Sequence, residues 1–155
     1  MDGRNETEFE RADRNWLELI QELRVAQTGI QVLAGFLLTL PFSSRFGDIS
    51  DLHRAEYLVA FSLAVVTIGL MTAPVSVHRV LFATHKKETL VRVGSLFAKT
   101  GLASLGLTLV AVVVLIFGVV VDDTAGFVAG GLVFVFYTLG WVVLPLVLLH
   151  RSDLT

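Results

Sequence analysis

Cysteine is absent from this 155-residue chain, and charged residues are few. Without thiols there is no disulfide, no thiolate nucleophile and no cysteine metal site. Charged residues make up 17% of the chain against 54% hydrophobic ones, too little charge to solvate an ordinary soluble domain. The formal net charge of −2 provides no general attraction to nucleic acid, and none is expected as a partner. The histidines, at 53, 78, 85 and 150, lack metal-ligand spacing. There is no nucleotide-binding glycine loop, nucleophile elbow or zinc motif. No cofactor and no enzymatic activity are expected.

What the chain has instead is long apolar runs. Thr100–Val121 contains 22 consecutive uncharged residues, and Thr124–Leu149 another 26. Two further charge-free runs cover Tyr57–His78 and Val25–Ser44. About 20 apolar residues cross a ~30 Å hydrocarbon layer as a helix, and backbone groups in lipid must be satisfied within the segment. The expected fold is therefore all-α: a polytopic membrane protein in a single domain, 1–155. Its spans are placed at 25–42, 55–77, 99–121 and 125–149, with an amphipathic helix at 6–23 and a basic connection at 78–95. The charged start, Met1–Glu22, lacks an early apolar stretch, so no cleaved secretory signal is expected.

Orientation follows from the basic residues. Ten of the twelve lie in the N-terminal segment, the connection between spans two and three, and the C-terminal end. Only Arg45 and Arg54 fall on the opposite side. Both termini and the central connection are expected to be cytoplasmic, in the bacterial plasma membrane. Val121-Asp122-Asp123-Thr124 would be a short outer turn, its acids capping the following helix or, less simply, attracting a cation.

Span one carries the most informative polar pattern. Arg24, Gln27, Thr28 and Gln31 follow i, i+3, i+4, i+7 spacing, and Gly35 and Thr39 continue the stripe. Lipid penalises side-chain amides and charges, so this face is expected to point into the bundle or toward water. By depth, Glu22, Arg24, Gln27, Thr28, Gln31, His78 and Arg79 form a candidate polar network at the cytoplasmic edge. Ala73-Pro74 through Arg79 would close span two on that side, where His78 and Arg79 equally suit an interfacial anchor.

Upstream, Phe9, Trp16, Ile20 and Leu23 share one side of the amphipathic helix, with charged residues opposite. This face is a candidate interface for lipid headgroups or a partner helix. No glycine or proline separates it from span one, so one continuous helix from about Phe9 to about Leu40 is expected. Gly126 and Gly130 in span four have GxxxG spacing, read mainly as bundle packing and secondarily as a dimerisation face.

Three segments carry a family resemblance: Glu10–Asn15, Gln21–Gln31 with the following Arg45-Phe46, and Ala73–Arg79. On these the chain resembles a family of small four-helix membrane proteins, found in actinobacteria and classed as a domain of unknown function. The resemblance covers almost the full chain and implies no active-site residues. Some members carry a loose sodium:proton antiporter label. Such exchange needs an acid in the membrane interior, whereas Glu22 and Glu56 fall at span edges by sequence position. The function expected is therefore a structural or interaction four-helix bundle, with lipid and either a homo-oligomer or another membrane protein as partner. The alternative is a small oligomeric transporter or channel, with monovalent cation/proton antiport along the span-one stripe.

Overall fold

The computed structural model describes residues 8–81 and 87–152, and their backbone is almost wholly helical. Helix α1 runs unbroken over Glu8–Thr39, so the amphipathic segment and the first apolar run are one element. It gives way to a 3₁₀ turn at Leu40–Phe42, where Pro41 occupies an early position whose missing N–H costs no helical bond. A second 3₁₀ turn, Phe46–Asp48, leads to α2, Asp51–Leu81. Ser50 caps α2: its hydroxyl accepts the His53 N–H at 3.2 Å and its carbonyl the Arg54 N–H at 3.0 Å.

Helix α3 spans Lys87–Val120. The 78–95 stretch expected as a connection is therefore helical on both sides, and its middle, 82–86, lies outside the described residues. Helix α4, Asp123–Thr138, starts at an extended Asp122 whose carboxylate accepts the Ala125 N–H at 2.8 Å. A π-helical turn at Leu139–Val143 separates α4 from α5, Leu144–Ser152. Pro145 explains it. Its ring would press on the carbonyl four residues back, and a widened turn absorbs that clash.

Four helices are long and apolar enough to cross a bilayer: Arg14–Phe42, Asp51–Val77, Val91–Val120 and Asp123–His150. The chain divides into two compact units, Met1–Phe36 with Ala64–Ser104, and Leu37–Leu63 with Leu105–Thr155. In the first unit, Leu23 and Ile30 of α1 are buried together with Ala64, Thr67 and Met71 of α2 and Ser104 of α3. In the second, Leu37, Tyr57, Ala60, Thr108, Val112 and Leu115 are buried, with Gly126 and Gly130 of α4.

Many bulky apolar side chains lie outside, while some small hydroxyl residues lie inside. Leu132 is 68% exposed and Phe136 70%, whereas Thr67 and Thr108 are fully covered. Water would penalise so much exposed apolar surface, and lipid would not. Close helix approach follows from the small residues. A Cβ on Gly126 would stand 2.7 Å from the Val114 carbonyl oxygen and 3.0 Å from the Gly118 nitrogen, so α4 runs against the α3 backbone. The GxxxG pair serves packing within the chain.

Candidate functional site

The span-one stripe divides. Gln27 is half-buried, and its side-chain amide donates to the Met71 carbonyl of α2 at 2.6 Å. That carbonyl lies in the turn loosened by Pro74, which is buried and cannot supply an amide to Leu70. The Met71 carbonyl, one residue beyond the carbonyl that Pro74 deprives of a donor, takes the Gln27 amide as an additional partner. Gln27 thus joins α1 to α2 within the first unit.

The remaining stripe faces outward. Arg24, Thr28, Gln31, Gly35 and Thr39 are all exposed. The stripe, expected to point into the bundle or toward water, does not point into the bundle as a whole, for a geometric reason. The buried seam of α1 is Leu23, Ile30 and Leu37, each seven residues from the next, and Gln31 stands one residue, ~100°, off that seam. Thr28 returns its hydroxyl to the Arg24 carbonyl at 3.0 Å. Gln31 makes no hydrogen bond to any described residue.

The wider cytoplasmic-edge network does not assemble among the described residues. Glu22, Arg24 and Arg79 are exposed and form no ion pair with one another. The side chain of His78 lies outside the described residues.

The candidate partner face is partly occupied by the chain itself. Leu23 is only 7% exposed and belongs to the core of the first unit. Trp16 and Leu19 lie against Gly94 of α3, where a Cβ would meet the Trp16 ring at 2.7 Å. Ile20 is half-buried, and the side chain of Phe9 is outside the described residues. Leu23 and Trp16 are therefore corrected from a free interface to internal packing; the α3 glycine makes room for the tryptophan.

Two polar arrangements escaped sequence reasoning. In the first unit the hydroxyls of Thr67 and Ser104 lie 2.7 Å apart in a fully buried setting. Their signal was a hydroxyl in the middle of each apolar run. In the second unit the His53 ring nitrogen donates to the Asp123 carboxylate at 3.0 Å. These residues are 70 positions apart, so no local spacing could reveal the pair. Gly118 lies beneath it: a Cβ there would be 3.2 Å from His53 Nε2 and 3.7 Å from Glu56 Oε2. Glu56 Oε2 is buried and has no hydrogen-bond partner among the described residues. Position alone placed Glu56 at a span edge; folding covers one of its oxygens.

No group of three or more His, Asp or Glu among the described residues is arranged to hold a metal ion. No curated protein and no solved structure matches this chain. The match that exists is to a family model covering residues 5–145, nearly the whole length. The chain belongs to the family of unknown function DUF6328.

Proposed function

We propose that this chain is a four-span plasma-membrane protein, both termini cytoplasmic, that acts by associating with another membrane helix through the outward face of α1. The observation that carries this is Gln31, exposed and without a hydrogen bond to any described residue, on a helix apolar enough to span lipid. A polar amide moved into an apolar medium without a partner costs roughly 2–7 kcal/mol. The polar groups facing inward, Gln27, Thr67 and Ser104, are already bonded within the chain.

A second copy is a fitting partner. A two-fold axis along the membrane normal sets Gln31 against Gln31 at equal depth, and an amide both donates and accepts. One interhelical bond contributes only ~0.6 kcal/mol on average, so backbone contact must add to it. Gly35, one turn on from Gln31 on the same face, leaves that approach open, since a Cβ there would meet nothing within 4 Å.

The cysteine-free chain suits a direct test. Single cysteines at Thr28 or Gly35, oxidised in native membranes, should give one discrete crosslinked species, of dimer mass or of one larger complex. Leu132→Cys, equally exposed on α4, should give little. Equal crosslinking from all three positions would sink the association reading. Tags at both ends, labelled from outside intact cells, would overturn the topology.

A small oligomeric transporter or channel is the second reading, favoured by the buried, unpartnered oxygen of Glu56. Exchange of protons for cations needs such a carboxylate, and a polar stripe such as that of α1 could line a pathway between copies on its own account. Vesicles holding the purified protein should then show sodium- or pH-gradient-driven flux that is lost in Glu56→Gln and Gln31→Leu. Absence of flux in the unaltered protein eliminates this reading.

A further inference from the structure

An apolar groove of about 210 Å³ opens on the second unit, where the two 3₁₀ turns, the start of α2 and the end of α3 meet. Leu40, Tyr57, Leu115, Ile116 and Val119 form its apolar walls, and Arg45 is part of its lining. The Phe46 ring braces one wall, edge-on to Tyr57 at 5.1 Å. Tyr57 is in turn stacked on Phe61 at 6.1 Å, so the wall is built from aromatic residues locked together.

Arg45 is the one charged residue among those that line the groove. It is exposed, sits at the start of the 3₁₀ turn Phe46–Asp48, and makes no ion pair with a described residue. The other basic residue at this end, Arg54, lies 3.8 Å from Asp51. Ser43 joins Arg45 in the lining, and from Ile116 to Val120 the groove follows one turn of α3. A single cation above an otherwise apolar channel matches one class of molecule: a phosphate head on a hydrocarbon chain. Guanidinium binds phosphate oxygens bidentately, and each methylene taken into such a groove adds ~0.8 kcal/mol where water is the alternative and less where lipid is.

We propose that this groove holds the headgroup-proximal part of one acyl chain of an outer-leaflet glycerophospholipid whose phosphate is bound by Arg45. The site rests on the membrane reading above: Arg45 then stands at the headgroup level and the α3 wall runs down into the hydrocarbon. It does not depend on association through α1, since Gln31 lies in the other unit.

The test uses the full chain in vesicles of phosphatidylglycerol and phosphatidylethanolamine, doped with a phospholipid bearing a diazirine along one acyl chain. After photolysis, labelled peptides are mapped by mass spectrometry. Phe127 and Val128 of α4 are the depth control, since they lie as far beyond the α3–α4 turn as Leu115 and Ile116 lie before it, and both are exposed. Labelling at 115–120 should exceed the control several-fold. In Arg45→Gln the excess should fall about tenfold, the worth of a lost charge-assisted contact. Val119→Trp, which fills the groove and leaves Arg45 in place, should remove it as well. A phosphate-free diacyl glycolipid carrying the same diazirine should show no excess.

Equal labelling of groove and control overturns the lipid site while leaving the membrane reading intact. Absence of label at both removes the membrane reading and the site with it. An excess unchanged by Arg45→Gln, or shared by the glycolipid, refutes phosphate recognition. Chain-to-chain crosslinks through the groove would assign it to a second copy and overturn the proposal. Thermal unfolding followed by circular dichroism checks that both variants fold.

Discussion

Gly126→Ala is the sharpest test of how α3 and α4 are joined. The added methyl would sit 2.7 Å from the Val114 carbonyl oxygen, 3.0 Å from the Gly118 nitrogen and 3.1 Å from the Gly118 Cα. All three are backbone atoms, so no rotamer change relieves the overlap. Carbon contacts ordinarily lie at ~3.5–4.0 Å, and parting the helices by roughly 0.5–1 Å forfeits about a quarter to a half of the dispersion attraction at each contact along the seam. Overpacking of this kind costs ~1–3 kcal/mol, offset by up to ~1 kcal/mol from replacing glycine in a helix. The net loss should be on the order of 1–2 kcal/mol. Gly131, five positions on, is the control: nothing lies within 4 Å of its Cβ position, so alanine there should be neutral or mildly stabilising. Unfolding of both variants in mixed micelles, titrated with SDS and followed by circular dichroism, measures the difference. If Gly126→Ala resists SDS as well as Gly131→Ala does, the close backbone approach of α4 to α3 is refuted.

The stripe on α1 should separate by function. Gln27→Leu should lose ~1–2 kcal/mol of stability in the same unfolding assay, because the Met71 carbonyl loses its side-chain donor. Gln31→Leu should leave stability within ~0.5 kcal/mol yet reduce crosslinking through Gly35→Cys; a stability loss equal to that of Gln27→Leu would contradict its outward placement. The buried hydroxyl pair should be non-additive. Thr67→Val or Ser104→Ala alone should each cost ~1–2 kcal/mol, and the double variant less than their sum, since the apolar pair leaves no orphan; a strictly additive cycle would refute the coupling. Gly94→Ala should destabilise the packing of α1 on α3, and Trp16→Leu in the same chain should restore part of it. Failure of that rescue in a thermal melt would show that Trp16 does not occupy the space beside Gly94.

Much of the helical content was legible because apolar run length and the lack of internal breakers are local properties. Thr100–Val121 and Thr124–Leu149 leave no room for other secondary structure, and Asp122 between them is a cap whose role follows from its spacing to Ala125. The side chains that meet were legible only in part. An i, i+3, i+4, i+7 pattern shows that Arg24, Gln27, Thr28 and Gln31 share a sector, but a sector has edges. Gln27, at the edge nearest the buried seam, reaches the Met71 carbonyl, whereas Gln31, one turn on, makes no hydrogen bond to any described residue. The Trp16 face was legible as apolar, but its occupant was not, because Gly94 announces nothing at a distance.

The sequence alone therefore determined an all-helical chain with four segments able to cross a bilayer, since hydropathy and helix length act within each segment. Tertiary structure decided which polar atoms are satisfied inside: Gln27 and the Thr67–Ser104 pair are, and Gln31 is not. It also brought His53 to Asp123 and covered an oxygen of Glu56. The physical reason is that helix periodicity sets which residues share a face, whereas the neighbour that covers each face is set by close packing between helices far apart in the chain.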